Sequence, residues 1–122
     1  GLRVVNLGDI SMEEPKAISR LLLESVNKCL NKTATVKLLS GSTFTVSDLS
    51  TTGITSFRPL INSYETAILA LPSFDYKLSS MELTLIFDHR VTEGKYAAKF
   101  LIDLIALLEE KLGVDETSGE AR

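Results

Sequence analysis

The chain has 122 residues, with 44% hydrophobic and 24% charged side chains and a formal net charge of -3. That length suits one domain with a two-layer core, and the composition is that of a globular chain, not a disordered or fibrous one. Lysines and arginines scattered without a basic stripe speak against a nucleic acid partner, no apolar run reaches the roughly 18 to 20 residues that cross a bilayer, and a lone cysteine permits no internal disulfide.

The chain opens on Gly1 and Leu2, without methionine or a signal-like leader, and reads as a piece of a longer protein. "LRVVNL" (2–7) is a β-branched run that ends at Gly8-Asp9, as a strand followed by a turn does. "SMEE" (11–14) has the S-x-x-E spacing of a capping box and announces a helix. Ile18, Leu22, Val26 and Cys29, flanked by Leu21 and Leu30, predict its buried stripe over about five turns, with Pro15 in the first turn where a missing N–H costs little. Cys29 then serves packing in a reducing compartment.

"ATVKLL" (34–39) and "TFTVSDL" (43–49) read as strands or a hairpin about Gly41, and 50–63 as a long ordered loop rich in Ser, Thr, Gly, Asn and Pro. "TAILALP" (66–72) predicts a buried strand. "MELTLIF" (81–87) predicts a strand with Met81, Leu83, Leu85 and Phe87 on one face. The short link between them favours antiparallel pairing. Ala97, Phe100, Leu101, Leu104, Leu108 and Leu112 mark a second amphipathic helix from 95 to 112, with Gly113 as its C′ residue and a polar tail, 114–122, that reads as disordered. Residues 1–113 are taken as the folded part. The expected fold class is α+β, a two-layer sandwich of two helices on a mixed or antiparallel sheet of four or five strands.

His89, the chain's one histidine, falls between the 81–87 strand and the second helix. By residue type alone such a histidine is a solvated loop residue, and no second His or Cys stands ready to make a metal site with it. Its neighbours give it more meaning. "DHRVTEG" (88–94) resembles the D-H-R-x-x-D-G signature of the dihydrolipoyl acyltransferase component of 2-oxo acid dehydrogenase complexes, a family that shares its fold with chloramphenicol acetyltransferase. "GSTFTVSDLSTTGITSFRPLINSYETAILAL" (41–71) is similar to the same family's G-G-T-F-T-I-S-N-L-G segment and the F-x-P-I-I-N-x-P-x-x-A-I-L-G segment that follows it. The two motifs stand in the right order, and the resemblance extends over nearly the whole chain, from "GLRVV" to the final helix, which corresponds to the C-terminal half of the family's catalytic domain.

The resemblance implies an acyltransferase that moves an acyl group between a dihydrolipoyl thiol and coenzyme A, both of them substrates, with no tightly bound cofactor. A thiol with a pKa near 8.5 needs a base, and an imidazole near 6.5 suits neutral pH; His89 takes that role. The tetrahedral oxyanion needs a donor, which position in the motif assigns to the Ser47 hydroxyl. The family draws these two groups from adjacent subunits of a trimer, so the resemblance also implies a homotrimer or larger assembly, a lipoyl domain and other complex subunits as partners, and a cytoplasmic or, in a eukaryote, mitochondrial matrix location. Asp88 and Arg90 are read as an ion pair that holds the loop, Gly94 as the turn into the helix, and Pro59 and Asn62 as residues that shape the long loop.

Glu93 stands where the family has Asp or Asn. The extra methylene displaces the support of the catalytic loop, and an error of about 1 Å there costs on the order of a hundredfold. Asp48, Ser50 and the "ALP" of 70–72 replace the family's asparagine and glycines, and the hairpin before the histidine strand is shorter. A second reading therefore stands beside the first: a catalytically silent core module that keeps the fold for assembly.

Overall fold

The structure is a computed structural model that describes residues 6–31, 41–62 and 64–112. It divides into two compact units, 1–43 and 44–122.

In the first unit, helix α1 spans Pro15–Leu30 with Pro15 in its first turn. The capping box does not form. Glu14 precedes a proline, which forces it out of the helical region to φ -71°, ψ 150°, so the helix starts only after the residue meant to be its third. The Ser11 hydroxyl donates instead to Asp9 Oδ1 at 2.7 Å, and the Ser11 N–H donates to the same oxygen at 3.0 Å.

The stripe on α1 is also narrower than expected. Ser25 is 3% exposed, with Ile18, Leu21 and Cys29 half-buried around it, whereas Leu22 and Leu30 are 47% and 62% exposed and Val26 is exposed too. At 100° per residue the apolar arc runs past the covered surface, and its far side stays open. Asn6 and Leu7, the described end of the expected 2–7 strand, are not in a strand, and the expected 34–39 strand lies outside the described residues.

The second unit holds strands β1 (Thr45–Asp48), β2 (Ala67–Leu71) and β3 (Thr84–Phe87) and helix α2 (Gly94–Leu112). The sheet order is β1-β2-β3, with β1 parallel and β3 antiparallel to the central β2. A strand covered on both faces reads as a continuous apolar run, which is why "AILAL" lacks alternation; Ile68, Leu69 and Ala70, which point to alternate faces, are all buried. The 81–87 strand begins three residues later than expected, at Thr84, and its four residues are all half-buried, so its alternation does not separate a core face from a solvent face. The fold is thus α+β with two helices and a mixed sheet, of three strands among the described residues.

The link from β2 to β3 tightens into a turn closed by an Asp75–Ser80 bridge, where Asp75 Oδ1 accepts the N–H groups of Lys77 and Leu78. The parallel pair β1/β2 needs a crossover, and the chain between Asp48 and Ala67, irregular over its described residues, supplies it. On α2, Ala97 is the buried contact residue, Leu101, Leu104 and Leu108 continue its row half-buried, and Phe100 remains exposed, tilted against Phe44 with ring centroids 6.2 Å apart. Gly113 and the tail lie outside the described residues. Among the described residues no helix is long and apolar enough to cross a membrane.

Candidate functional site

Two strand ends carry the residues that the motifs single out. Beyond β3 the Asp88 N–H still donates to the Thr66 carbonyl at 2.8 Å, so the chain stays tied to the entry of β2. The Asp88 carbonyl then accepts the N–H groups of Val91 (3.0 Å) and Thr92 (3.3 Å), which folds 88–92 into a turn.

Across that turn the Arg90 guanidinium grips the Asp88 carboxylate in a fork. Nε donates to Oδ1 at 3.0 Å and to Oδ2 at 3.2 Å, Nη2 donates to Oδ2 at 2.8 Å, and the Arg90 N–H adds a bond to Oδ1 at 2.9 Å. These bonds, the side-chain ones first, hold the Asp88 carboxyl below the usual carboxylate range, and the same pairing raises the pKa of Arg90. The Asp88 side chain is 19% exposed and that of Arg90 89%.

His89 sits exposed at the tip of this turn, its ring tilted at 46° against Phe87 with centroids 4.4 Å apart. The phenyl ring backs one side of the imidazole and leaves the other open. Next to Phe87 an apolar groove, lined by Phe44, Ala67, Leu85, Val91 and Phe100 among others, runs between sheet and helix. It offers no charged side chain to a phosphate.

The Glu93 carbonyl accepts the N–H groups of Tyr96 and Ala97, so this residue stands just ahead of α2, while its carboxylate lies 3.7 Å from Lys95 Nζ, both side chains largely exposed. Gly94 opens the helix without a left-handed φ, and a Cβ there would meet nothing within 4 Å. The chain itself therefore sets no steric demand for glycine at that turn.

Ser47 lies on β1, paired with Ala70. Behind it Asp48 Oδ1 accepts the Ser50 N–H at 2.8 Å, and the Leu49 N–H donates to the Leu71 carbonyl at 2.9 Å. Asp48 and Ser50, which replace the motif's Asn and Gly, fit this turn without a left-handed backbone at either; the left-handed residue is Gly53, at φ +83°.

At the opposite end of β1, a chain of hydrogen bonds that the motifs do not announce ties the long loop to the sheet. Asn62 Nδ2 donates to Thr45 Oγ1 at 2.9 Å, and the Thr45 hydroxyl donates to the Glu65 carboxylate, 2.7 Å from both oxygens. Glu65 is 7% exposed. A charged residue ahead of an apolar strand gives no sign in the sequence that it will be buried.

The register separates the two candidate groups. Ser47 shares a row with Ala70, whereas Phe87 shares a row with Ala67, on the other side of β2. Three rows at about 3.3 Å and two strand spacings at about 4.8 Å put roughly 14 Å between Ser47 and Phe87, and His89 stands two residues beyond Phe87. One chain does not bring this serine and this histidine together. Among the described residues no three His, Cys, Asp or Glu side chains gather as a metal site would require.

Comparisons with known proteins agree with one another. Residues 1–114 match the family described as 2-oxoacid dehydrogenases acyltransferase (catalytic domain). The dihydrolipoyllysine-residue acetyltransferase component of the pyruvate dehydrogenase complex of Buchnera aphidicola is 31% identical over 114 residues, 85% of this chain and 29% of that protein. The Azotobacter vinelandii dihydrolipoamide acetyltransferase superposes with a TM-score of 0.80 at 26% identity over 93% of this chain and 51% of its own; its structure was investigated for the catalytic role of a serine, a histidine and an asparagine. The cubic core of a pyruvate dehydrogenase multienzyme complex superposes with a TM-score of 0.76 at 27% identity over 90% of this chain and 51% of its own. The chain thus spans about half of each solved chain and less than a third of the Buchnera relative.

In the Azotobacter enzyme the asparagine follows the histidine by four positions, as Glu93 follows His89, and 52 residues separate its serine from its histidine where 42 separate Ser47 from His89.

Proposed function

Since the chain belongs to the catalytic-domain family of the 2-oxoacid dehydrogenase acyltransferases, we propose that it transfers an acyl group between a dihydrolipoyl thiol and coenzyme A, with His89 of one protomer acting across an interface with Ser47 of another. The observation that carries this reading is the pair itself: both groups stand in the family's motifs, yet roughly 14 Å or more of sheet separates them in one chain, so the reaction needs a second copy. The relatives support it, one as an acetyltransferase component and one as a cubic core.

In this mechanism the His89 imidazole accepts the proton of the incoming thiol. The thiolate attacks the thioester carbonyl, and the Ser47 hydroxyl of the neighbouring protomer donates to the oxyanion that forms. Collapse expels the second thiolate, which takes the proton back from the imidazolium. Phe87 limits how the imidazole turns, and the Asp88–Arg90 fork fixes the backbone on either side of it. The partners are further copies of the chain, in a trimer or larger core, and a lipoyl domain with the other subunits of a dehydrogenase complex.

The test is acetyl transfer from acetyl-CoA to dihydrolipoamide by the protein as encoded, beside its His89→Ala variant, with sedimentation of both. Turnover by an oligomer that the substitution abolishes supports the reading; equal rates, or turnover by a monomer, overturn it. Glu93 favours the silent module instead, because it stands where the family has Asp or Asn and its carboxylate lies largely exposed beside Lys95. Assembly without turnover is the outcome that selects that alternative.

A further inference from the structure

The turn that follows Ser47 is closed by a buried side chain from a different strand. Ser73 is 6% exposed and comes directly after Pro72, which is fully buried. Its hydroxyl donates to the Leu49 carbonyl at 2.8 Å and accepts the Gly53 N–H at 2.8 Å, so one orientation satisfies both. Its own N–H donates to the Ile54 carbonyl at 2.7 Å. The Leu49 carbonyl also receives the Thr52 N–H at 3.1 Å and the Thr52 hydroxyl at 2.7 Å. Three donors thus converge on one carbonyl two residues beyond Ser47, and Gly53, in its left-handed conformation, turns its N–H back into the cluster.

The location matters because β1 has only four residues and, among the described residues, pairs with β2 alone. A strand that short frays unless its ends are held. The Asn62–Thr45–Glu65 chain holds its beginning. The Ser73 clasp holds its end, and Ser47 lies between them. Ser73 comes one residue after the "ALP" of 70–72, where the sequence leaves the family's glycine pattern.

We propose that Ser73 is a positioning residue for Ser47: through Leu49 and Gly53 it fixes the end of β1 and so aims the Ser47 hydroxyl. Its kinetic consequence rests on the acyl-transfer reading; its structural content does not. Ser73→Ala keeps the size of the site nearly unchanged but leaves the Gly53 N–H without its acceptor. Thr52→Val removes another hydroxyl donor from the same carbonyl, together with the acceptor of the Ile54 N–H at 3.2 Å, while leaving both hydrogen bonds of the Ser73 hydroxyl in place.

The test follows amide hydrogen exchange and the Ser47 Cβ resonance by NMR in both variants. In Ser73→Ala the Gly53 amide exchanges at least about fivefold faster, as loss of one hydrogen bond implies, the Ser47 resonance moves, and the amides between β2 and β3 keep their protection. Thr52→Val leaves the Ser47 resonance in place. In the transfer assay Ser73→Ala lowers kcat about tenfold with KM unchanged. A Gly53 amide that speeds up while Ser47 stays put, an equal shift in Thr52→Val, or a uniform loss of protection across the sheet overturns the proposal. Absence of transfer in the unsubstituted protein counts against the acyl-transfer reading alone, and the resonance of Ser47 still decides the clasp.

Discussion

The ends of β1 and β3 present their functional candidates in opposite ways. Ser47 is followed by a turn held from inside, by neutral hydrogen bonds to a serine that solvent hardly reaches. His89 sits on a turn held from outside, by a carboxylate and an exposed guanidinium. A donor that must meet a developing charge gains from a fixed position, because its contribution depends on distance and angle to one atom. A base that must take up and return a proton works at an open edge, within reach of solvent and of an incoming thiol. The difference teaches that the two ends should fail under different perturbations, and substitutions can probe each separately.

The largest effect is expected at the open end. His89→Ala should lower acetyl transfer by about 10²- to 10⁴-fold, the range of general base catalysis, while circular dichroism and thermal midpoint stay as they were, since the exposed ring carries little of the core. Loss of both fold and rate would show that the imidazole is structural. At the buried end Ser47→Ala should cost about 10²- to 10³-fold in kcat with little change in KM, the signature of a donor used only in the transition state; a raised KM at unchanged kcat would place the hydroxyl in ground-state binding. Mixing the two variants sharpens the comparison further. If the groups act across an interface, co-assembled His89→Ala and Ser47→Ala chains regain part of the activity that each lacks alone.

A smaller and opposite change is expected from Glu93→Asp. Removing one methylene from the residue four positions after His89 should raise kcat, by up to about a hundredfold if the longer side chain accounts for the misplacement. An unchanged rate would dissociate that position from catalysis in this chain.

The smallest effect concerns the Asp88–Arg90 fork. Because the folded carboxyl lies below its usual range, its stabilisation is present above the unfolded pKa and is lost as the pH falls through the folded value. Arg90→Ala should bring the Asp88 titration, followed by carboxyl carbon NMR, back up toward the ordinary range. The thermal midpoint should then drop less between neutral and acid pH than it does in the unsubstituted chain. An exposed pair is weak, so the shift in midpoint is modest, and added salt should reduce it.

Much of this was legible in the residues. The run "AILAL" announces a buried strand because cover on both faces removes the need for alternation, and the spacing of Ala97, Leu101, Leu104 and Leu108 gives the covered face of α2, although Phe100, expected in the same row, stays exposed. The turn of 88–92 was readable as well, since Asp and Arg two residues apart reach each other with no help from the rest of the fold. What the sequence could not show are contacts between residues distant along the chain. Glu65 buried under Thr45, twenty positions away, and Ser73 closing a turn twenty-four positions behind it, carry no local signal. Where local signals compete they also mislead: the capping box at Ser11 loses to the proline that follows Glu14.

The residues by themselves determined which chemical groups this protein owns and, to within a few positions, where the three strands of the second unit and the two helices fall, because residue type and spacing act over a few positions. Only the tertiary structure decided where those groups stand. Strand order and register are settled by pairing across the sheet, and they place Ser47 and His89 on opposite edges of β2 and at opposite ends of it, so that any joint action belongs to an assembly and not to one chain.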